Sequence, residues 1–201
     1  EFEGLALRAP LDGAPRKTTS PMGADRDGGD RRHMGVDFAS SGGEPVRAIA
    51  DGRVSLAGVQ TRKGTFSKPF EEARKIKASK LAPGGLLVMV RHDKGLVSGY
   101  MHLSRYVVTT GQELAQGDLI GYVGRSGMRR SAAHLHFELR HEGKHLDPFP
   151  YMARCAFHRD DTYVGRRVAK QEKRDRRKRR HKTSKAAKTS KASKTSKASK
   201  K

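Results

Sequence analysis

Cysteine is nearly absent from this chain of 201 residues, because Cys155 is the only one. No internal disulfide can form, so the sequence does not reveal the redox compartment. Long apolar runs are also absent, and the best one, Leu86–Val90, is much too short to span a membrane. No secretion signal is visible, but the chain starts at Glu1 rather than Met. We therefore expect that an N-terminal piece was removed or never included, which leaves secretion open.

Acidic residues are scarce beside basic ones, and the imbalance is concentrated at the C-terminus. The whole chain has a formal net charge of +22. Residues 165–201 hold 18 Lys and Arg against 2 Asp and Glu, a net of +16, so residues 1–164 carry the remaining +6. This segment also contains three copies of a hexapeptide between Thr183 and Lys200 (TSKAAK, TSKASK, TSKASK). Such a composition predicts a disordered tail that binds anionic polymers through many weak, screened contacts.

The chain from about Leu5 to Met152 has the pattern of an all-β protein. Short alternating apolar runs are bounded by Gly, Pro and Asp, which favours a sandwich or barrel over βαβ units. One helix-like patch, Lys68–Leu81, is predicted as a small helical insertion at the edge of the sheet. Strands are predicted at Gly35–Ala39, Pro45–Ala50, Arg53–Ala57, Leu86–His92, Leu119–Val123 and His134–Arg140.

Histidine and aspartate occur in three short motifs that suggest metal chemistry. His134 and His136 lie in an alternating run, so a strand would project both from one face, about 7 Å apart. His33 and Asp37 are four residues apart in a glycine-containing segment, which argues against the helix of an HExxH site. His102, in GYMHLS, is the third position. Imidazole and carboxylate are zinc ligands, and two His with one Asp leave the fourth zinc position open for water, as in catalytic sites.

These motifs, in this order and among their flanking residues, resemble the lysostaphin-type zinc endopeptidases, also called the LytM family. The resemblance runs from about Pro21 to Pro148, which is essentially the whole predicted folded part. It rests on HMGVDFAS, EPVRAIADGRV, YMHLS, the stretch Val108–Gly124, SGMRRSAAHLHFEL and the closing LDPFPY.

The resemblance implies a role for each of five residues. His33, Asp37 and His136 match the zinc ligands, while His102 and His134 match a pair that is not bound to the metal and faces the scissile carbonyl. Zinc lowers the pKa of bound water to about 7, and the two other imidazoles can supply a hydrogen-bond donor and proton transfers. The implied fold is a two-sheet antiparallel sandwich with a zinc-floored groove. The implied activity is hydrolysis of peptide bonds in peptidoglycan stems or cross-bridges, in the periplasm or outside the cell, in association with the wall.

One departure from the family pattern lies between Val59 and Gly85. The family usually has a short Gly-rich hairpin there, whereas this chain inserts the basic segment Thr61–Leu81 as a candidate groove wall, which leaves the substrate specificity open but not the zinc site. Glu138 follows the two histidines on their face and either orients a ligand or forms a cross-strand ion pair. The predicted organisation is a lead-in (1–20), the endopeptidase domain (21–152, with the insertion at 60–84), a connector (153–164) and the basic tail (165–201).

Two other functions compete with the enzyme. The domain could be a non-catalytic regulator or wall-binding module, but degenerate members of that kind lack ligands and this chain keeps all five residues. A nucleic-acid binder is permitted by the charge of the tail, but the tail has no aromatic residues and the folded part has no binding motif. We therefore expect peptidoglycan, and not nucleic acid, as the main partner of a monomeric chain.

Several weaker signals have simpler explanations. GDLIGYVG resembles the barrels of biotinyl or lipoyl carriers, but no lysine stands in an MKM-like triplet. Asp25 lies in an Asp-rich stretch without the rest of a calcium loop, and Cys155 has no nucleophile context. The bond that is cleaved stays open between a glycyl bridge and a D-Ala–diaminopimelate cross-link.

Overall fold

The structure is a computed structural model, and it describes residues 1–26, 31–128 and 130–157. Most of the regular secondary structure in these residues is β-strand. The predicted tail and most of the predicted connector lie outside these residues. Two single-turn helices, α1 (Phe70–Ala73) and α2 (Phe149–Met152), accompany the strands, and no helix in the described part is long and apolar enough to cross a membrane. The strands are β1 (Thr18–Ser20), β2 (Asp25–Arg26), β3 (Arg31–Arg32), β4 (Val36–Ala39), β5 (Pro45–Arg47), β6 (Gly52–Thr61), β7 (Gly64–Ser67), β8 (Leu81–Arg91), β9 (Leu96–Leu103), β10 (Arg105–Tyr106), β11 (Glu113–Leu114), β12 (Leu119–Tyr122), β13 (His134–His141) and β14 (Lys144–Leu146).

The strands form three antiparallel sheets. The largest has nine strands in the order β1-β4-β13-β9-β8-β6-β11, with β14 beside β13 and β7 beside β6. A second sheet has the order β10-β12-β5, and β2 and β3 form a separate hairpin. This arrangement confirms the predicted all-β, antiparallel fold.

Strand β13, in the interior of the nine-stranded sheet, separates the core from a groove. Its residues Leu135, Phe137 and Leu139 are fully buried, because alternate side chains of a strand point to opposite faces. His134 and His136 therefore project from the other face, as the alternating sequence predicts. One strand thus supplies both apolar packing and the polar floor of the groove.

The core lies between the nine-stranded and the three-stranded sheet. The ring of Tyr100, on β9, packs 5.5 Å from that of Phe137, and its hydroxyl accepts a hydrogen bond from the Ile49 N–H at 3.2 Å. Val46 on β5 and Ile120 on β12 are fully buried. Residues of the three-stranded sheet and of the loop after β5 thus cover the inner face of the nine-stranded sheet. The apolar area that is buried between the two sheets stabilises this arrangement.

The insertion contains much less helix than the sequence predicts. Only the single turn α1 and a 3-10 turn at Ala78–Lys80 form, and Lys77 between them has an extended backbone (φ −57°, ψ 135°). No side chain caps α1, so little holds a longer helix together in a segment with sparse apolar residues. The turn is instead anchored by packing, because Phe70 meets the edge of Tyr106 at 5.5 Å.

Candidate metal centre

Neighbouring strands bring the predicted site residues together from distant parts of the sequence. β4 and β13 lie side by side, and Asp37 is directly opposite His136. On the other side of β13, β9 places Met101 opposite His136, so that His102 follows immediately beside it. The rings of His102 and His134 are 4.8 Å apart, and those of His102 and His136 are 5.6 Å apart. The structure therefore brings all of the predicted site residues on β4, β9 and β13 to one end of the groove.

His33 approaches from the segment that precedes β4. Its backbone N–H donates to the Ala24 carbonyl at 2.8 Å, and its carbonyl accepts from Gly23 N–H at 2.8 Å. Gly35 then passes close beneath β13, where a Cβ atom would lie 2.3 Å from the Phe137 carbonyl oxygen. A side chain at that position would collide with backbone, so glycine is required to seat His33 over the sheet.

Three ligand atoms converge at the floor of the groove. His136 Nδ1 is 2.8 Å from Asp37 Oδ1, His33 Nε2 is 3.1 Å from the same oxygen, and the two nitrogens are 2.9 Å apart. All three side chains are buried. Ligands bound to one tetrahedral zinc at roughly 2.0–2.1 Å would be about 3.3 Å apart, which is close to the observed spacing. His33, Asp37 and His136 thus form a compact three-donor group.

In His33 and His136, the ring nitrogen that points away from the three-donor group makes a hydrogen bond, and these bonds show that the group is suited to a cation. His33 Nδ1 lies 2.9 Å from the Pro21 carbonyl oxygen, which can only accept, so Nδ1 carries the hydrogen. His136 Nε2 lies 3.1 Å from a Glu138 carboxylate oxygen and is protonated for the same reason. In neutral rings the two facing nitrogens therefore present lone pairs to each other and to Asp37. These lone pairs repel one another, and a proton or a metal ion between them removes the repulsion. The residues therefore fit a zinc ion.

The shifted pKa values of His136 and Asp37 also favour a cation at this site. Burial lowers the pKa of His136, but the hydrogen bonds and charges of Asp37 and Glu138 outweigh burial and raise it to about 9. Burial also raises the pKa of Asp37, but its hydrogen bonds to His136 and His33 outweigh this and hold the pKa well below the usual range. Without a metal, a proton therefore remains on the buried imidazole, beside an ionised carboxylate.

Zinc affinity should consequently depend on pH. Binding must displace the proton from His136, whose pKa is raised to about 9. Below that pH we expect the apparent affinity to fall by about tenfold for each pH unit, since one proton is released for each ion bound. Competition with a chromophoric chelator of known pH dependence at pH 6, 7 and 8 measures this slope. An affinity that is constant over the range would show that no proton leaves the site.

His102 and His134 form a second pair beside the three donors. His102 Nδ1 lies 3.2 Å from the Ser126 carbonyl oxygen, and His134 Nδ1 lies 2.9 Å from the Ala132 carbonyl oxygen. Each Nδ1 therefore carries a hydrogen, and in a neutral ring the Nε2 is an acceptor. Burial, together with the nearby His136 and His134, lowers the pKa of His102 to about 3, so its ring is neutral at physiological pH. The pair can accept protons at Nε2 within the groove.

Glu138 takes the orienting role toward His136, which is one of the two roles that the sequence left open, and its ion pair with Arg140 lies within β13 and not across two strands. One carboxylate oxygen accepts from His136 Nε2, and the other accepts from Arg140 Nη2 at 2.6 Å and lies 3.2 Å from His145 Nε2 on the adjacent strand β14. Burial raises the pKa of Glu138, but His136 and Arg140 outweigh this and lower it to about 2. The ionised carboxylate thus fixes the ring orientation that directs His136 Nδ1 toward Asp37.

Substitution Glu138→Gln should weaken zinc binding by about 10–100-fold, because partners that orient a metal-bound histidine typically contribute that much. The amide can accept from His136 but supplies no charge. Zinc affinity at fixed pH is the measurement, and Glu113→Gln is the matched control, since Glu113 is an exposed carboxylate with an arginine 3.6 Å away. Equal affinities for the two variants would remove Glu138 from the orienting role.

Two contacts at the site were not predicted from the sequence. Arg26 Nη2 donates to Asp37 Oδ2 at 2.8 Å and to Ser20 Oγ at 3.2 Å, although its surroundings have the composition of a solvated turn. The partner of His102 is the backbone carbonyl of Ser126, which no side-chain pattern can indicate. The Asp-rich and Arg-rich composition before His33 was the only available signal, and it did not specify a partner.

The antiparallel sheets and the convergent donors define a β-sheet protein with a potential single-ion centre at the floor of a groove. The profile of Peptidase family M23 matches residues 31–148, more than half of the chain, and the chain belongs to this family. The matched range contains the five predicted site residues, and the resemblance to the lysostaphin and LytM type is confirmed.

Named relatives include both peptidases and activators. The chain is 36% identical over 118 residues to "DD-carboxypeptidase/endopeptidase Mpg" of Neisseria meningitidis serogroup B, which covers 59% of the chain and 22% of that protein. It is 31% identical over 145 residues to "Murein hydrolase activator NlpD" of Escherichia coli, which covers 72% of the chain and 31% of the relative. The chain thus spans only about a fifth to a third of these relatives.

Solved structures share the fold. The catalytic domain of lysostaphin from Staphylococcus simulans is 28% identical with a TM-score of 0.53, over 69% of this chain and 92% of that domain. A zinc-containing peptidase from Vibrio cholerae is 25% identical with a TM-score of 0.55, over 71% of this chain and 39% of that one. The described part of the chain therefore corresponds to nearly the whole of the lysostaphin catalytic domain.

Proposed function

We propose that the protein is a zinc metalloendopeptidase that hydrolyses peptide bonds in bacterial peptidoglycan. One observation carries the proposal: the convergent acceptor atoms of His33, Asp37 and His136 lie at the floor of an open groove, and two further imidazoles face the same space. A structural metal site would be closed by four protein ligands, whereas three leave room for a reacting group. The named similarity to peptidases supports the same function.

The residues divide into two roles in this proposal. His33, Asp37 and His136 would hold the zinc ion, which supplies Lewis acidity and an activated water when it is bound. His102 and His134 would move protons at Nε2, because their Nδ1 hydrogens are committed to backbone carbonyls. An imidazole that has taken a proton becomes a donor, so the same pair can then stabilise the developing oxyanion and protonate the leaving amine.

A non-catalytic regulator of murein hydrolases is the second candidate. It is favoured by the similarity to proteins named murein hydrolase activators, which covers up to 73% of this chain. An activator has no need for a metal-binding triad with oriented ring tautomers, whereas these residues have that arrangement. Metal content and turnover together separate the two candidates.

Digestion of purified sacculi tests the proposal. Sacculi with glycyl bridges and sacculi with direct D-Ala–diaminopimelate cross-links should be incubated separately with the zinc-loaded protein, and the released fragments identified by mass. New amino and carboxyl termini within the peptide part of either wall type are the expected result. Intact sacculi of both types, with zinc present at one equivalent, would favour the regulator.

The basic tail belongs to the same proposal as a tether. Relatives named as an outer membrane lipoprotein and as murein hydrolase activators support action at the cell envelope, where anionic wall polymers are the natural partners of residues 165–201. We further infer that the tail takes no part in bond breaking and that the chain acts as a monomer.

Truncation at Gly165 should leave hydrolysis of a small soluble peptide unchanged and should weaken sedimentation with intact sacculi. The loss should be largest at low ionic strength, where screening is weakest. Sedimentation of the truncated chain that equals that of the full chain in low salt would contradict the tether. Loss of activity on the soluble peptide would place the tail within the active domain.

A further inference from the structure

One short piece of backbone joins the two histidines that are proposed to move protons. The Gly124 carbonyl accepts from the His134 N–H at 3.2 Å, and the Ser126 carbonyl accepts from His102 Nδ1 at 3.2 Å. The Ser126 N–H also donates to the His102 carbonyl at 3.4 Å, so Ser126 and His102 are linked twice. The spacing of 4.8 Å between the two imidazole rings therefore depends on where this bridging segment, residues 124–126, lies.

The backbone of His102 needs support of this kind. His102 is buried and has a positive φ of 64°, a conformation that residues other than glycine rarely adopt. Such a conformation persists only where the surrounding contacts determine it. The two hydrogen bonds to Ser126 are such contacts, because one holds the backbone of His102 and the other holds its ring.

The side chain of Ser126 ties the bridging segment to β8. Its Oγ accepts from the Leu86 N–H at 2.8 Å. Leu86 lies opposite Leu103 in the pairing of β8 with β9, and Leu103 directly follows His102. The hydroxyl of Ser126 therefore closes a ring of contacts among β8, β9 and the bridging segment, and His102 is part of that ring.

The bridging segment and the start of β8 pack backbone against backbone. A Cβ atom at Gly85 would collide with the Ser126 carbonyl group, and one at Gly127 would lie 2.6 Å from the Pro83 carbonyl oxygen. Both glycines have a positive φ, of 61° and 77°, which glycine adopts without strain. The bridging segment is thus held by the part of β8 where the chain returns from the insertion Thr61–Leu81.

We propose that Ser126 is a positioning residue for the reaction: its hydroxyl holds the bridging segment against β8 and so fixes the ring of His102, with the hydrogen on Nδ1 and Nε2 available in the groove. This inference rests on the proposed function and adds to it a residue outside the groove. In the described part of the chain, Ser126 is not among the residues that line the groove, so it acts through His102 rather than on the substrate. It borders a neighbouring cavity together with Ile76 and Leu81.

Substitution Ser126→Ala should lower kcat by about 10–100-fold, because small displacements of a catalytic group have effects of that size. KM should change by less than about twofold, since no group that meets the substrate is altered, and zinc should be retained. Ser126→Thr keeps the hydroxyl and can place its methyl group in the neighbouring cavity, so its kcat should stay within about threefold of that of the parent protein. Both constants are measured for the zinc-loaded full chain on a soluble peptide that contains the cross-link cleaved in sacculi.

Ser55→Ala is the matched control, because the exposed Ser55 hydroxyl donates to the Met89 carbonyl of β8 at 3.2 Å, outside the groove. It should leave kcat and KM unchanged. Ser126→Cys keeps the size of the side chain but is a weaker acceptor, so its kcat should be intermediate, and it serves as the test if the alanine variant does not fold. An unchanged kcat in the variant that folds, or equal losses in the alanine and threonine variants, would overturn the role. A rise in KM at constant kcat would also overturn it, since Ser126 would then affect binding.

The state of the His102 ring can be measured without turnover. In protein labelled with nitrogen-15 at histidine, a ring held with its hydrogen on Nδ1 gives two widely separated nitrogen signals, whereas a ring that exchanges between tautomers gives averaged ones. The His102 signals are identified by their absence from His102→Asn. Separate signals in the parent protein and in Ser126→Thr, but averaged ones in Ser126→Ala, support the positioning role even if no peptide is cleaved, and only the enzyme proposal then fails. Separate signals in Ser126→Ala, with normal cleavage, refute the role of Ser126 and leave the enzyme intact.

Discussion

Substitution Asp37→Ala should abolish both zinc binding and hydrolysis. Asp37 Oδ1 contacts both imidazoles of the three-donor group, and Oδ2 binds Arg26. Its removal eliminates one ligand and leaves two facing nitrogens near the Arg26 guanidinium without the carboxylate between them, so that a cation is no longer attracted there. We expect zinc below one tenth of an equivalent and no detectable release of fragments from sacculi. His33→Ala and His136→Ala should give the same result.

Elemental analysis of the purified variants, together with sacculus digestion, is the measurement. Asp12→Ala is a matched control, because Asp12 is an exposed carboxylate paired with Arg8 and Arg47, outside the groove. Its loss should cost at most about 1 kcal/mol of stability and should leave zinc intact. Full zinc occupancy in any one of the three site variants would remove that residue from the ligand set.

Replacement of His102 or His134 should abolish most of the turnover, as in the ligand variants, but the protein should keep its zinc. Proton transfer and oxyanion stabilisation each contribute factors of about 10²–10⁴, so kcat should fall within that range. His102 has a positive φ of 64°, a region that asparagine tolerates better than most residues, so His102→Asn accompanies His102→Ala. Similar losses in both would assign the effect to the imidazole rather than to backbone strain.

Zinc content and kcat, measured on the same preparation, decide this role. His92→Gln is a useful comparison, since His92 is a buried histidine that contacts the Asp51 carbonyl at 2.7 Å and Ser98 Oγ at 2.7 Å; it follows the last residue of β8 and does not line the groove. It should affect unfolding more than turnover. A parallel loss of zinc and activity in a His102 or His134 variant would place that residue among the ligands.

Strand β13 shows why much of the site could be predicted from the sequence. The run HLHFELRH alternates, and a strand has a side-chain period of two, so the buried and groove-facing sets follow directly. The six predicted strands all form, although β6 and β8 extend several residues beyond the predicted bounds and β5 ends earlier. Strand ends depend on cross-strand partners, such as Thr61 opposite Leu81, and these partners are distant in sequence.

Other parts of the structure depend on information that a single sequence lacks. The segment Lys68–Leu81 has helical spacing in places, but docking of Phe70 on Tyr106 is a tertiary contact that favours a single turn. Gly64–Ser67 pairs with β6 to form a hairpin that was not predicted. The contact between Arg26 and Asp37 likewise arises from the placement of a hairpin, which local composition does not determine. The roles of the five predicted site residues stay predictions that the variants above test.

Reconstitution of the metal-free protein with zinc tests the central claim most directly. The protein should be stripped by a chelator and then titrated with zinc, and hydrolysis of peptide bonds in purified sacculi should be followed at each step by the appearance of new amino termini. We predict no hydrolysis without metal and a linear rise that ends at one equivalent of zinc per chain. Hydrolysis by the stripped protein, or intact sacculi with one equivalent bound, would contradict a zinc endopeptidase built on His33, Asp37 and His136.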